Sequence, residues 1–128
     1  MIKQHPHIII ANMHELSVTE NILQITLKHA QQAGAKSVTD VHLVIGELSS
    51  IIDDSVQFYW DMITENTICQ SAQLHFTRIP AKMLCQNCKQ EFTIEHGPIP
   101  CPSCGSVNLR VIQGEEFWVD SIEIQKEE

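Results

Sequence analysis

Two cysteine pairs constrain this 128-residue chain more than any other feature: Cys85-Gln86-Asn87-Cys88 and Cys101-Pro102-Ser103-Cys104, with residues 89–100 between them. A C-x2-C turn aims two sulfurs at one point. Two such turns complete a closed tetrahedral shell of four thiolates, each at about 2.3 Å from a metal ion. The expectation is a structural zinc site at Cys85, Cys88, Cys101 and Cys104, with no ligand position left open for chemistry. Pro102 and Gly105 shape the second turn. Iron satisfies the same four-sulfur spacing, and two disulfides or four unrelated thiols are the blander readings. The fifth cysteine, Cys69, reads as a buried spectator thiol and fits a reducing compartment.

Elements bracket the cysteines on both sides. Leu16, Leu23, Leu27 and Ala30, with Ile22 beside them, recur at helical spacing until Gly34, which serves as a C-terminal stop. Ser17-Val18-Thr19-Glu20 matches a capping box, so this helix is expected to start at Ser17 or within a turn before it. Val41, Leu43 and Ile45 alternate with His42 and Val44 and predict a strand with one strongly apolar face. Asp53 and Asp54 can cap a second helix, in which Val56, Tyr59, Trp60 and Ile63 form a core-facing stripe. Ala72, Leu74 and Phe76 predict a second strand ending at Pro80. Phe117 to Ile124 predicts a third, whose apolar phase shifts between Val119 and Ile122, a place for a bulge. The fold class is therefore α+β: a small mixed three-stranded sheet with two helices, plus an inserted four-cysteine zinc-ribbon-like domain. Because the insert separates the second and third strands, the rest of the chain must close around it.

Charge and motif content exclude several functions. Eight Lys and Arg against sixteen Asp and Glu give a formal net charge of −8, and the basic residues are scattered, which argues against a nucleic-acid partner. No apolar run approaches a membrane span, and the segment Ile8-Ile9-Ile10-Ala11 is too short for a signal peptide, so a cytoplasmic protein without a membrane partner is expected. There is no nucleophile–base arrangement, phosphate loop or open-site metal triad, so an enzyme is not expected. His42 and His75 on their strands read as core-edge or surface residues. His29 falls late in the first helix, where the dipole favours a cation. His96 lies between the cysteine pairs, close enough in sequence to exchange with a thiolate or hydrogen-bond one from outside the shell.

The segment Met13-His14-Glu15-Leu16-Ser17-Val18, an amphipathic helix, Ile45-Gly46-Glu47-Leu48-Ser49 and a late four-cysteine element follow one another in order. With Gly114-Glu115-Glu116-Phe117 and Ser121-Ile122-Glu123-Ile124 near the end, this chain resembles the HypA/HybF hydrogenase nickel incorporation family from Met13 to about Glu127. The resemblance implies a nickel metallochaperone in which His14 is the imidazole ligand and the Met13 backbone nitrogen joins it when Met13 is the terminus. It implies further that the four cysteines hold zinc, and that nickel passes to a maturation GTPase serving the hydrogenase large subunit precursor. Glu15 is a candidate for the nickel site or for partner contact, and as a first-turn acid it also suits the helix dipole. Residues 1–12 would be an N-terminal extension, 13–81 and 113–128 the nickel-binding α/β domain, and 82–112 the zinc-binding domain, in a monomer or homodimer.

Family chains begin at the methionine matching Met13, so in this chain the Met13 nitrogen would be an amide. Three origins of the extension stay open: translation begins at Met13, His5 or His7 supplies the missing donor, or residues 1–12 come from cloning. Two other functions share the paired-cysteine signal: a zinc-ribbon module for protein or nucleic-acid interaction, and an iron redox protein.

Overall fold

The structure, a computed structural model, describes residues 2–3, 15–95 and 97–126. Its organising strand is β2 (Ala35–Gly46), whose Val41, Leu43 and Ile45 are fully buried, as their alternation requires of a strand packed on one side. The strand before the insert, β3 (Gln73–Ile79), lies parallel to β2, with Val41 opposite Leu74 and Leu43 opposite Phe76. The strand after it, β7 (Phe117–Lys126), runs antiparallel along the other side of β2. The mixed three-stranded sheet thus closes around the insert as expected. A two-residue edge, β1 (Ile2–Lys3), pairs with β7 at Ile122 and Ser121, where the sequence reading placed no strand.

The phase shift expected in β7 is a bulge. Leu43 faces Val119 and His42 faces Ser121, which leaves Asp120 as the extra residue. Val119, Ser121 and Ile122 are consequently all buried.

The helix α1 (Glu15–Gln32) starts two residues before Ser17, inside the turn that the capping box allowed, and Ser17 itself is an exposed residue within the helix. Thr19 donates its hydroxyl to the Glu15 carbonyl, so it bonds back within the first turn. The buried stripe is Val18, Thr19, Ile22, Thr26 and Ala30. Leu16, expected to lead that stripe, is instead 39% exposed, and Leu23 and Leu27 pack at its margin. Two threonines on the core side rotated the true face away from the leucines.

The helix α2 (Asp53–Ile63) buries Val56 and Trp60 as expected, with Tyr59 and Ile63 half-buried. The Trp60 indole N–H donates to the Ala72 carbonyl at 3.1 Å, which satisfies its one polar atom inside the core. Neither Asp53 nor Asp54 caps this helix; the cap position is Ile52 and carries no side-chain bond. Arg78 explains the difference. Its guanidinium draws the Asp53 carboxylate to 2.7 Å and also donates to the carbonyls of Gly46 and Ile51, so Asp53 is committed to pinning the loop that leads into α2.

The insert forms a second antiparallel sheet in the order β5-β4-β6, built from β4 (Ala81–Cys85), β5 (Glu91–Ile94) and β6 (Leu109–Gln113). Two glycines let the sheets meet. A Cβ on Gly46 would sit 2.0 Å from the Gly114 carbonyl oxygen, and Gly114 itself has φ +124 with Ala81 at 2.9 Å from its own notional Cβ. At that contact Leu48 N–H donates to Gly114 and Gly46 N–H to Glu116, both at 2.8 Å.

Candidate metal centre

Each cysteine pair sits in the same small turn. In the first, the Lys89 N–H donates to the Cys85 carbonyl at 2.8 Å and the Cys85 N–H to the Gln90 carbonyl at 2.9 Å. In the second, Gly105 donates to Cys101 at 2.8 Å and Cys101 to Ser106 at 2.9 Å. The residue four positions after the leading cysteine is left-handed in both, Lys89 at φ 64 and Gly105 at φ 75. Glycine adopts that conformation freely, whereas lysine is strained there. The turns are tied to each other by the Asn87 amide donating to the Ser106 hydroxyl at 2.7 Å and the Gln86 N–H donating to the Asn108 carbonyl at 2.9 Å.

This backbone brings four sulfurs together. Cys85 lies 3.6 Å from Cys104 and Cys88 lies 3.6 Å from Cys101, and all four sulfurs fall within 4.8 Å of one another. A tetrahedron with metal–sulfur bonds of about 2.3 Å has edges of about 3.8 Å, and with two separations at 3.6 Å and none beyond 4.8 Å the four thiols stand close enough to share one such ion. A disulfide needs about 2.05 Å, and all five cysteines are free thiols, which removes the disulfide reading. Cys85 and Cys101 are buried, while Cys88 and Cys104 face solvent.

The electrostatics of the cluster also ask for a cation. The backbone N–H of Cys88, helped by that of Asn87 and by the neighbouring thiols, outweighs desolvation and brings the Cys85 thiol down to about 6. At Cys104 the Ser106 backbone N–H favours the thiolate, but the bond shared with Cys85, together with desolvation, overrides it and pushes that thiol up to about 12. At Cys101 desolvation is outweighed by the backbone N–H groups of Cys104 and Ser103 and by the neighbouring thiols, so that thiol is lowered, whereas Cys88 is raised; two sulfurs ionise readily and two resist. A divalent ion removes that conflict. Four soft thiolates in a tetrahedron fit a thiophilic metal and not a hard cation such as magnesium or calcium.

Among the other residues singled out, Met13, His14 and His96 lie outside the described residues. Glu15 is the half-buried first residue of α1. Cys69 is fully buried, and desolvation pushes its thiol up to about 11, as a spectator thiol should behave. Sequence reasoning missed the Arg78 clamp, because a lone arginine on a strand carries no signal of the loop it will reach. It also left His42 and His75 as unconnected residues, whereas parallel register sets them face to face.

A closed four-thiolate centre on a small sheet, docked against an α/β body, defines a metal-binding protein whose metal site offers no catalytic position. Residues 13–124 match the family described as "Hydrogenase/urease nickel incorporation, metallochaperone, hypA". Over 114 residues the chain is 39% identical to the hydrogenase maturation factor HypA of Caldanaerobacter subterraneus subsp. tengcongensis, covering 88% of this chain and 100% of that protein. Over 115 residues it is 40% identical to the protein of the same name from Dehalococcoides mccartyi, covering 90% and 97%. The fold is similar to the solution structure of the Ni metallochaperone HypA from Helicobacter pylori, with TM-score 0.66, 26% identity, and coverage of 90% of this chain and 100% of that one. The chain belongs to the HypA nickel incorporation family, which is a family of metallochaperones and not of enzymes.

Proposed function

We propose that this chain binds Ni(II) at the start of α1 and delivers it, with a GTPase partner, to the hydrogenase large subunit precursor in the cytoplasm. His14 supplies the imidazole, the Met13 nitrogen contributes when Met13 is the terminus, and Glu15 steers a ligand or meets the partner. Nickel(II) accepts tetragonal or square-planar nitrogen sets, and a terminal amine with backbone nitrogens and an imidazole provides one. A site with few side-chain ligands at a chain end surrenders its ion readily, which suits delivery. The relatives are named as hydrogenase maturation factors, which favours a hydrogenase over a urease as client.

The cysteine centre is assigned to zinc held for structure, with residues 82–112 as the zinc unit, 13–81 and 113–128 as the nickel-binding unit, and 1–12 as an extension. The carrying observation is the convergence of four cysteine sulfurs within 4.8 Å of one another beside a family match covering residues 13–124. His96 is a candidate, against simple solvent exposure, for an imidazole that hydrogen-bonds a thiolate from outside the shell; on that reading His96→Ala changes metal retention between about pH 5 and 7, and an unchanged pH response contradicts it. Calorimetry with Ni(II) on the full chain, on a chain starting at Met13, and on His14→Ala tests the cargo site. Tighter binding in the shortened chain and loss on His14→Ala are expected; equal affinity in all three contradicts the reading.

A further inference from the structure

Alternation along β2 sends Val41 and Leu43 into the core and turns Asp40 and His42 to the opposite sheet face. There His42 stands directly opposite His75 of β3, and Asp40 stands opposite Glu123 of β7. The two imidazoles stack with centroids 4.7 Å apart and planes at 16°. Each is gripped by a carboxylate through Nε2, His42 by Glu123 at 2.8 Å and His75 by Asp40 at 2.7 Å. All four side chains are open to solvent, at 32% and 41% for the first pair and 43% and 28% for the second.

The carboxylates decide which nitrogen is free. An ionised carboxylate only accepts hydrogen bonds, so Nε2 carries the proton in each ring and Nδ1 of the neutral imidazole keeps its lone pair. Asp40 is held below the ordinary carboxylate range, first by the His75 hydrogen bond and then by that of Thr39, so it remains such an acceptor. A carboxylate behind one ring nitrogen is how metal-ligating histidines are oriented, and here the arrangement occurs twice on adjacent strands. The site lies on a different face from the core and on a different sheet from the cysteine shell.

We propose that His42 and His75 form a second, exchangeable metal site, a bis-imidazole chelate through the two Nδ1 atoms for a borderline divalent cation such as Ni(II), Cu(II) or Zn(II). The rings open from their stack about the two carboxylate bonds until both nitrogens reach one ion at about 2.0–2.1 Å. Water completes the shell on the exposed side. The site stands whether or not His14 binds nickel.

The test uses the full chain with its cysteines zinc-loaded and His5, His7 and His14 replaced by alanine, so that no N-terminal imidazole contributes. Ni(II) alone is titrated by calorimetry while the ring resonances of His42 and His75 are followed by NMR. One equivalent should bind, and paramagnetic broadening should remove both rings together before that of His29. His42→Ala and His75→Ala should each abolish this equivalent, and Asp40→Asn or Glu123→Gln should weaken it about tenfold. Absence of binding, broadening of only one of the two rings, or an equivalent that survives both alanine variants overturns the proposal. The ring signals of the protein with His42 and His75 intact decide the matter even where a variant fails to fold.

Discussion

The two sheets of this molecule are held together by different means. The body sheet and its helices share one core in which Ile22, Val41, Leu43, Ile45, Val56 and Trp60 are completely buried. Among the described residues, none of that core comes from Ala81 to Gln113. The insert buries Ala81, Cys85 and Cys101 but leaves Val107 82% and Ile99 45% exposed. A segment this short usually needs more than apolar burial to order itself, and on the proposed reading a metal at the four cysteines supplies it. The body has a fold that is written in side-chain burial; the proposed reading gives the insert one that depends on an ion.

That contrast can be broken first at the cysteines. Cys101→Ala should abolish metal retention and disorder β4, β5 and β6, since structural zinc in small domains is worth about 10–16 kcal/mol at pH 7. Metal content and backbone amide spectra check this, and amides of β2, β3 and β7 should stay in place. On the other side, Trp60→Ala should destabilise the body by about 3–5 kcal/mol in denaturant unfolding while leaving zinc affinity unchanged. Gly46→Ala strikes the contact between the two regions. Its Cβ would collide with the Gly114 carbonyl, and a loss of about 1–3 kcal/mol is expected, with shifted amides on both sides of the junction.

A pH titration sharpens the comparison further. Metal binding displaces thiol protons, so affinity falls as pH falls. Above about pH 6 the Cys85 thiol is already ionised and adds no proton to the exchange; below that value it does. The slope of log affinity against pH, measured by chelator competition, should therefore steepen by one proton below about pH 6. A constant slope contradicts the low Cys85 value. The smallest effect concerns the two turns. Lys89→Gly should stabilise the metal-bound insert by about 1 kcal/mol, because it relieves the left-handed backbone that Gly105 already adopts without strain.

What could be read from the sequence follows the same division. Strict alternation in Val41, Leu43 and Ile45 announced β2, and the broken phase after Val119 announced the bulge at Asp120, because strand burial has a period of two and any slip shows at once. The α1 face was legible only in part, since apolar residues surround that helix and Thr19 and Thr26 compete for the core side. The Asp53 cap failed because a partner 25 residues away, Arg78, claimed the carboxylate. The spacing of the cysteines foretold their convergence, as local turns carry that geometry. The stacked pair of His42 and His75 did not show, because it exists only once two strands choose their register.

Hydrogen exchange on the full chain, zinc-loaded and then treated with a chelator, tests most directly whether the two regions are ordered by different means. The account predicts that amides of β4, β5 and β6 lose protection when the metal is removed, while those of β2, β3, β7 and α1 retain it. An insert that keeps its protection without metal, or a body that loses protection together with the insert, contradicts it.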